Sequence, residues 1–329
     1  MAVPGGGAAA ALALTLLLLL CSCVSGAAHA SSALRHAVPR GDGGGGLCGQ
    51  LLLPLGYPCT EHTVETNDGF LLSLQHIPHG KNGVADNTGP PVFLQHGLFQ
   101  GGDTWFINSV EQSLGYILAD NGFDVWIGNV RGTRWSKGHS TFTVHDKMLL
   151  TMGFHQLNFR SDMGVQIVDS ICDDGHVDCN NLLSSITGEN CCFNGSRIDH
   201  YLEYEPHPSS TKNLHHLFQM IRKGTFARYD YGLLGNLRRY GRLSPPPFDL
   251  SSIPESLPMW MGYGGLDALA DVTDVERTVK ELRSTPELMY IGGYGHIDFV
   301  MSVKAKDDVY VDLMRFLRLR ANGSLHSSY

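Results

Sequence analysis

Apolar and polar positions change their rhythm several times along the chain. His62 to Thr66 and Phe70 to Ile77 flank Asn67-Asp68-Gly69. Two strand-type runs around an Asp-Gly pair predict a β-hairpin, with the glycine free to take a positive φ. Pro91-Val92-Phe93-Leu94-Gln95 then reads as a buried strand. A helix is expected over Glu111 to Asp120, Gly122 ends it, and Phe123 to Gly128 reads as the next strand. Such a βαβ unit implies parallel neighbours joined by a right-handed crossover.

From Met148 to about Gly241 the pattern is mostly helical and interrupted. The clearest helix is Ser210 to Arg222: Leu214, Leu217, Phe218 and Ile221 recur at helical spacing, and Gly224 follows its end. Pro245-Pro246-Pro247 separates this block from the C-terminal part. There Leu257 to Tyr263 is expected as a strand. Thr273-x-x-Glu276 is read as a capping box opening a helix with Val275, Val279 and Leu282 on one face. Glu287 to Gly292 is a further strand, and Val309, Leu313, Phe316 and Leu317 place one apolar face on a last helix. Strand–helix alternation at both ends predicts an α/β fold with a parallel sheet.

The first residues belong to none of this. Ala8 to Val24 is an almost unbroken apolar run, followed by small residues ending Ala28-His29-Ala30. That is an h-region with an A-x-A cleavage signal, so residues 1–30 are expected to be a signal peptide. A membrane anchor is the rival reading, but seventeen residues is at the short limit for spanning a bilayer. Residues 31–46, SSALRHAVPRGDGGGG, form a low-complexity leader expected to be flexible. No other segment is long and apolar enough to span, so no transmembrane anchor is expected after cleavage.

Composition sets limits. With 43% hydrophobic and 17% charged residues the chain can bury a sizeable core. Its 24 basic and 32 acidic residues give a net charge of −8, and no Lys/Arg-rich run offsets it, so nucleic acid is not an expected partner. The 16 histidines would mostly titrate near pH ~5 and could swing the net charge positive. Cleavage after Ala30 leaves Cys48, Cys59, Cys172, Cys179, Cys191 and Cys192. In an oxidising compartment these invite disulfides, with Cys48–Cys59 as a plausible local bridge and the pairing of the other four left open. Asn194-Gly195-Ser196 and Asn322-Gly323-Ser324 are glycosylation sequons. Neither the cysteines nor His139, His145 and His155 have metal-ligand spacing, so no metal and no cofactor are expected.

The candidate chemistry sits in the loops after the strands, where parallel α/β sheets bind ligands. The strand ending at Gln95 runs into His96-Gly97-Leu98, a turn whose backbone can bend sharply and aim a free N–H at a developing oxyanion. The strand near Tyr263 runs into Gly264-Gly265-Leu266-Asp267, and the next into Gly293-Tyr294-Gly295-His296. Asp after one strand and His after the following one is the Asp…His order of an α/β-hydrolase triad. The carboxylate would fix the imidazole tautomer and stabilise the imidazolium as it forms.

HGLFQGGDTW (96–105), NVRGTRWSKGH (129–139), GGLDALADVTDV (264–275) and YGHIDF (294–299) resemble the acid lipase family, which includes gastric and lysosomal acid lipases. The wording is closest to the plant triacylglycerol lipases of that family, and the resemblance runs from Leu47 to Leu319. It implies an α/β-hydrolase-like parallel sheet with a helical cap. Residues 47–147 would form the N-terminal half of the core, 148–245 the cap and lid region, 246–320 the C-terminal part of the core and 321–329 a tail. It also implies Asp267 and His296 as the charge-relay pair and Leu98 as an oxyanion-hole N–H donor. The implied partners are neutral lipid esters or a lipid–water interface, reached through the secretory pathway, outside the cell or in a vacuole or lysosome.

One element of that pattern is absent. The family serine lies in a G-x-S-x-G elbow, yet no G-x-S-x-G or G-x-C-x-G occurs anywhere in the sequence. Lys147 is followed directly by Met148-Leu149-Leu150, which resembles sequence inside the cap. The expectation is therefore an incomplete fold that lacks the elbow, the second oxyanion N–H, a central strand and the elbow helix. Gly138-His139-Ser140 is a poor substitute, because Thr141-Phe142 follow it where the second glycine should stand. Three readings compete: an inactive or truncated lipase-family chain, a non-catalytic lipid-binding or regulatory protein, and a hydrolase with an unconventional nucleophile.

Overall fold

The computed structural model describes residues 45–83, 89–142, 156–157, 184 and 187–325. The signal peptide, the leader up to Gly44, the Lys147–Met148 junction, Cys172, Cys179 and residues beyond 325 lie outside them. The first elements are β1 (Thr60–Glu65) and β2 (Phe70–Ile77), an antiparallel hairpin with Glu65 opposite Leu71 and Thr60 opposite His76. Gly69 closes the turn at φ 84°, a value that side-chain-bearing residues rarely adopt. β3 (Pro91–Gln95), α1 (Leu114–Asp120) and β4 (Asp124–Gly128) form the expected βαβ unit, with β3 and β4 parallel from Pro91–Asp124 to Gln95–Gly128. The helix starts at Leu114, three residues later than the sequence predicts. Ser113 sits there in extended backbone, and the residues just before it make a tight turn closed by Gln112 and Ser113 N–H on the Ser109 carbonyl.

The first sheet runs β1-β2-β4-β3, with the two-residue β5 (Gly138–His139) added to β2. β4 has a neighbour on each side, and its Val125 and Ile127 are fully buried. β3 is an edge strand, and Phe93 on it remains 57% exposed.

The middle of the chain supplies β6 (Gln156–Leu157), α2 (Ile198–Tyr204), β7 (Ser209–Ser210), α3 (Thr211–Lys223) and α4 (Gly232–Tyr240). α3 matches its prediction to within one residue at each end. The Ser210 side chain accepts from Lys212 N–H, and Gly224 at φ 57° donates to the Ile221 and Met220 carbonyls.

The C-terminal part contains β8 (Trp260–Gly264), α5 (Val272–Glu281), β9 (Glu287–Ile291), the short α6 (Asp298–Met301) and α7 (Val311–Leu325). The cap of α5 corrects the sequence reading: Asp271, not Thr273, is the N-cap, its carboxylate accepting from Asp274 N–H at 2.9 Å. An aspartate two residues upstream offered the stronger acceptor, so the helix begins earlier. β8 begins at Trp260 rather than Leu257, because Leu257 N–H closes a turn onto the Pro254 carbonyl. β8 and β9 pair in parallel, Trp260 opposite Glu287 and Gly264 opposite Ile291, as a second sheet that shares no ladder with the first among the described residues. Both sheets nevertheless feed one core, in which Leu94, Tyr116, Phe123 and Ile127 join Tyr294, Val309 and Tyr310.

Candidate active site

The loops after β8 and β9 are laced together, and that lacing makes the pair predicted from sequence. Gly265 N–H donates to the Ile291 carbonyl and Leu266 N–H to the Tyr294 carbonyl, both at 3.0 Å. The approach is so close that a Cβ on Gly264 would lie 2.2 Å from the Tyr294 oxygen, so only glycine fits there. Asp267 and His296 consequently meet, with Oδ2 3.0 Å from Nδ1. Asp267 Oδ1 is occupied by Leu269 and Ala270 N–H, each at 2.8 Å. Burial pushes this carboxyl up, but the hydrogen bonds from His296, Ala270 and Leu269 outweigh it and hold it below the usual carboxylate range. An ionised Asp267 fixes the proton on Nδ1 and leaves the Nε2 lone pair outward. The imidazole is 42% exposed, and Nε2 has no protein partner among the described residues.

Several residues that hold this loop carried no recognised signal. Thr187 offers its carbonyl to His296 N–H at 2.9 Å, and Asn190 Oδ1 accepts Ile297 N–H at 3.3 Å. The fully buried Asp298 accepts Gly295 N–H at 2.8 Å and Cys191 N–H at 3.0 Å. Burial dominates its titration and raises it despite those bonds. A carboxylate two residues after the histidine and at the start of α6 was the available clue.

The His96-Gly97-Leu98 turn behaves as a rigid unit. His96 is buried, its Nε2 accepts Val130 N–H at 3.1 Å, and its Nδ1 lies 2.8 Å from the Gly97 carbonyl. Since Nε2 is an acceptor, the ring proton sits on Nδ1 and donates to that carbonyl. Desolvation lowers the pKa of His96, which keeps it neutral for this role. Gly97 N–H is taken by Gln100 Oε1 at 3.1 Å, whereas Leu98 N–H has no acceptor among the described residues. That is the state expected of an oxyanion donor. Phe99 completes the bend at φ 61°, a strained value for a bulky residue.

Behind this turn lies a buried cluster drawn from two distant segments. His207 Nε2 is 2.7 Å from one oxygen of Asp103 and 3.0 Å from the other, with both side chains fully buried. Trp135 Nε1–H donates to Asp103 at 2.7 Å, and His207 N–H donates to the Phe99 carbonyl at 2.7 Å. Glu205 packs beside them, and its carboxyl is pushed well above the ordinary range by burial first and by the Asp103 charge second. Ligand atoms of Asp103, Glu205 and His207 lie within 4.8 Å of one another, an arrangement that sequence spacing could not reveal. The direct His207–Asp103 pairing ties two of the three together, and burial beside the Asp103 charge favours the neutral form of the Glu205 carboxyl.

The other candidates are placed as follows. Ser140 is exposed, and its N–H binds the Gly69 carbonyl at 2.8 Å. A two-residue strand, β5, precedes it, but β5 pairs antiparallel with β2 at the hairpin end and leads into no helix among the described residues. Cys48 and Cys59 are bridged as expected. Cys191 and Cys192 are bridged to each other, a vicinal pairing that sequence had left open. Asn194 Oδ1 accepts from Ser196 N–H and Oγ; Asn322 lies in the last turn of α7. No helix among the described residues is long and apolar enough to cross a membrane.

Parallel strands that deliver an aspartate and then a histidine from consecutive loop ends define the class: an α/β-hydrolase. The family model described as a partial alpha/beta-hydrolase lipase region matches residues 48–109. Triacylglycerol lipase 1 of Arabidopsis thaliana is 47% identical over 363 aligned positions, covering 84% of this chain and 92% of that protein. Triacylglycerol lipase 2 of the same plant is 32% identical, covering 86% and 90%, and human gastric triacylglycerol lipase is 28% identical, covering 82% and 90%. Among solved structures, a soluble variant of yeast monoglyceride lipase aligns over 79% of this chain and 94% of its own at 16% identity. Its TM-score of 0.39 adds no weight. The chain belongs to the acid lipase family.

Proposed function

We propose that this chain is an acid-lipase scaffold for neutral lipid esters, such as triacylglycerols, that has kept its charge-relay pair and lost its nucleophile. In this reading Asp267 orients His296, Nε2 stands ready to take a proton, and Leu98 N–H waits for an oxyanion, but no serine stands between them. The carrying observation is the absence of any G-x-S-x-G or G-x-C-x-G in the sequence.

Two further observations support the reading. The alignment with Triacylglycerol lipase 1 spans 363 positions, while 84% of 329 residues is about 276, so close to 90 positions face a gap in this chain. β3 and β8 each end a sheet with an unpaired edge among the described residues, which is where a central strand would pair both. Without a nucleophile and base acting together, a factor of about a million in turnover goes. The chain is thus proposed to be an inactive, shortened form of a lipase, made in the secretory pathway with residues 1–30 removed and Asn194 and Asn322 glycosylated.

The decisive experiment amplifies cDNA across the codons for Lys147 and Met148. A second, longer product of about 270 additional bases is expected, from the roughly three bases that encode each missing position. A single short product encoding a soluble, monodisperse protein would sink the proposal. Treatment of the purified chain with a fluorophosphonate should label no serine; labelling of one serine would restore the unconventional hydrolase. The second reading, a lipid binder that retains the cap pocket, is favoured by the well-formed α3–α4 block. It requires binding of a fatty-acyl ligand without turnover.

A further inference from the structure

The block from Ser209 to Phe248 carries a surface that neither the Asp267–His296 pair nor the oxyanion turn uses. It holds seven of the chain's 24 basic residues and only one of its 32 acidic ones, Asp230. That single carboxylate is spent internally: it pairs with Lys223 and accepts from Gly232 N–H at 2.8 Å and Asn236 Nδ2 at 2.7 Å. The exposed guanidinium groups of Arg222, Arg228, Arg238 and Arg242 have no carboxylate partner among the described residues. A chain with a net charge of −8 therefore presents one strongly cationic region.

The same region is conspicuously apolar. On α4, Leu233 is 68% and Leu234 82% exposed, and Leu237 one turn on is also exposed. Positions i, i+1 and i+4 fall within an arc of about 100° on a helix, so the three leucines form one face. Ile221, Phe226, Leu243 and Phe248 add exposed apolar surface nearby in the chain. Fraying does not explain this exposure. Gln219 bonds both the N–H and the carbonyl of Asp230, Phe248 N–H donates to the Phe226 carbonyl at 2.9 Å, and Asn236 is buried at the centre. The leucines are held out on a built platform.

Exposed leucines rimmed by unpaired arginines are the signature of a helix lying in the plane of an anionic lipid surface. The apolar face enters the acyl boundary while the long cationic side chains reach the headgroup phosphates. We propose that the α3–α4 unit is a docking face for anionic lipid surfaces. The idea takes its choice of partner from the lipid reading above, but it needs neither a nucleophile nor the relay pair.

The test is co-sedimentation of the full chain with vesicles of phosphatidylcholine alone, of phosphatidylcholine with about 30 mol% phosphatidylglycerol, and with a triolein emulsion coated with phosphatidylcholine. Binding to the anionic vesicles at least about tenfold tighter than to neutral ones is expected, and it should fall away in about 0.5 M salt. Each basic residue near an anionic surface raises partitioning about fivefold, so Arg238→Glu with Arg239→Glu should weaken anionic binding by about thirtyfold or more. Leu233→Ser with Leu234→Ser should weaken binding to anionic vesicles and emulsion alike. Leu319→Ser and Arg277→Glu, exposed on other helices, should change nothing, and unaltered circular dichroism shows that each variant is folded. Equal binding to neutral and anionic vesicles overturns the proposal. So does binding to heparin that matches the vesicles and ignores the leucine substitutions. Binding to the triolein emulsion without anionic preference removes the docking face and leaves the lipid reading intact; failure on all three surfaces removes both.

Discussion

β4 and β8 are both five-residue strands of parallel pairs and both rich in apolar residues; β8 leads into the Asp267 loop, and β4 into the loop whose Val130 N–H bonds His96. Their fates differ. β4 lies between β2 and β3 and buries Val125 and Ile127 completely, whereas β8 has only β9 beside it among the described residues and no fully buried side chain before Gly264. Burial of a parallel strand is thus conferred by its neighbours and by what covers its faces, not by its own composition. β9 shows the same deficit, with Tyr290 57% exposed. Both sheets keep an open edge among the described residues. The N-terminal one encloses β4 between two neighbours, while the C-terminal one has no enclosed strand and rests on the shared core around Tyr294 and Tyr310.

The largest test of this contrast restores the proposed neighbour. Inserting the corresponding block of Triacylglycerol lipase 1 between Lys147 and Met148 should raise turnover of a short-chain p-nitrophenyl ester by about a million-fold. It should also slow hydrogen exchange of β8 amides, and unchanged exchange at β8 would break the comparison. Next in size, Ile127→Ala should cost about 3–4 kcal/mol by urea denaturation, because its methyl groups leave a cavity in a closed core. Leu288→Ala on exposed β9 should cost under about 1 kcal/mol; similar losses at both sites would mean that the sheets are equally packed. Removing the Cys48–Cys59 bridge by Cys59→Ser frees a loop with a sequence separation of 11 just ahead of the first sheet. About 3 kcal/mol of stability should be lost on chain-entropy grounds.

The smallest effect is a pH dependence. Glu205 has a raised carboxyl pKa in the fold, so it favours folding fully below the ordinary carboxylate value of about 4.3. That contribution is lost as pH rises through the raised value, because the unfolded chain ionises first. Glu205→Gln should therefore leave Tm unchanged near pH ~4 and raise it at pH ~7, measured by differential scanning calorimetry in both buffers. Asp267 has the opposite sign. Its lowered pKa gives stability that is present at neutral pH and fades as pH falls below the ordinary aspartate range.

Local chemistry made much of this legible. The hairpin at Asp68-Gly69, the β3–α1–β4 unit, the caps of α3 and the Cys48–Cys59 bridge all follow from short-range preferences that tertiary packing left in place. Asp267 and His296 were legible because strand ends in a parallel sheet converge on one rim. The Asp103–His207–Glu205 cluster was not, because its members come from segments about a hundred residues apart and carry no spacing rule. Nor were Asp298 and Asn190, which act by accepting backbone N–H groups, a task that many polar residues could fill.

The sequence by itself determined the element order, the family and the absence of a serine elbow, since these depend on residue identity and local pattern. Only the tertiary structure decided three other things. It split the strands into two sheets with open edges among the described residues, left the leucines of α4 exposed rather than buried, and buried His207 against Asp103 and beside Glu205 behind the His96-Gly97-Leu98 turn. Each depends on distances between remote segments, and those are fixed by how the faces pack rather than by any residue alone.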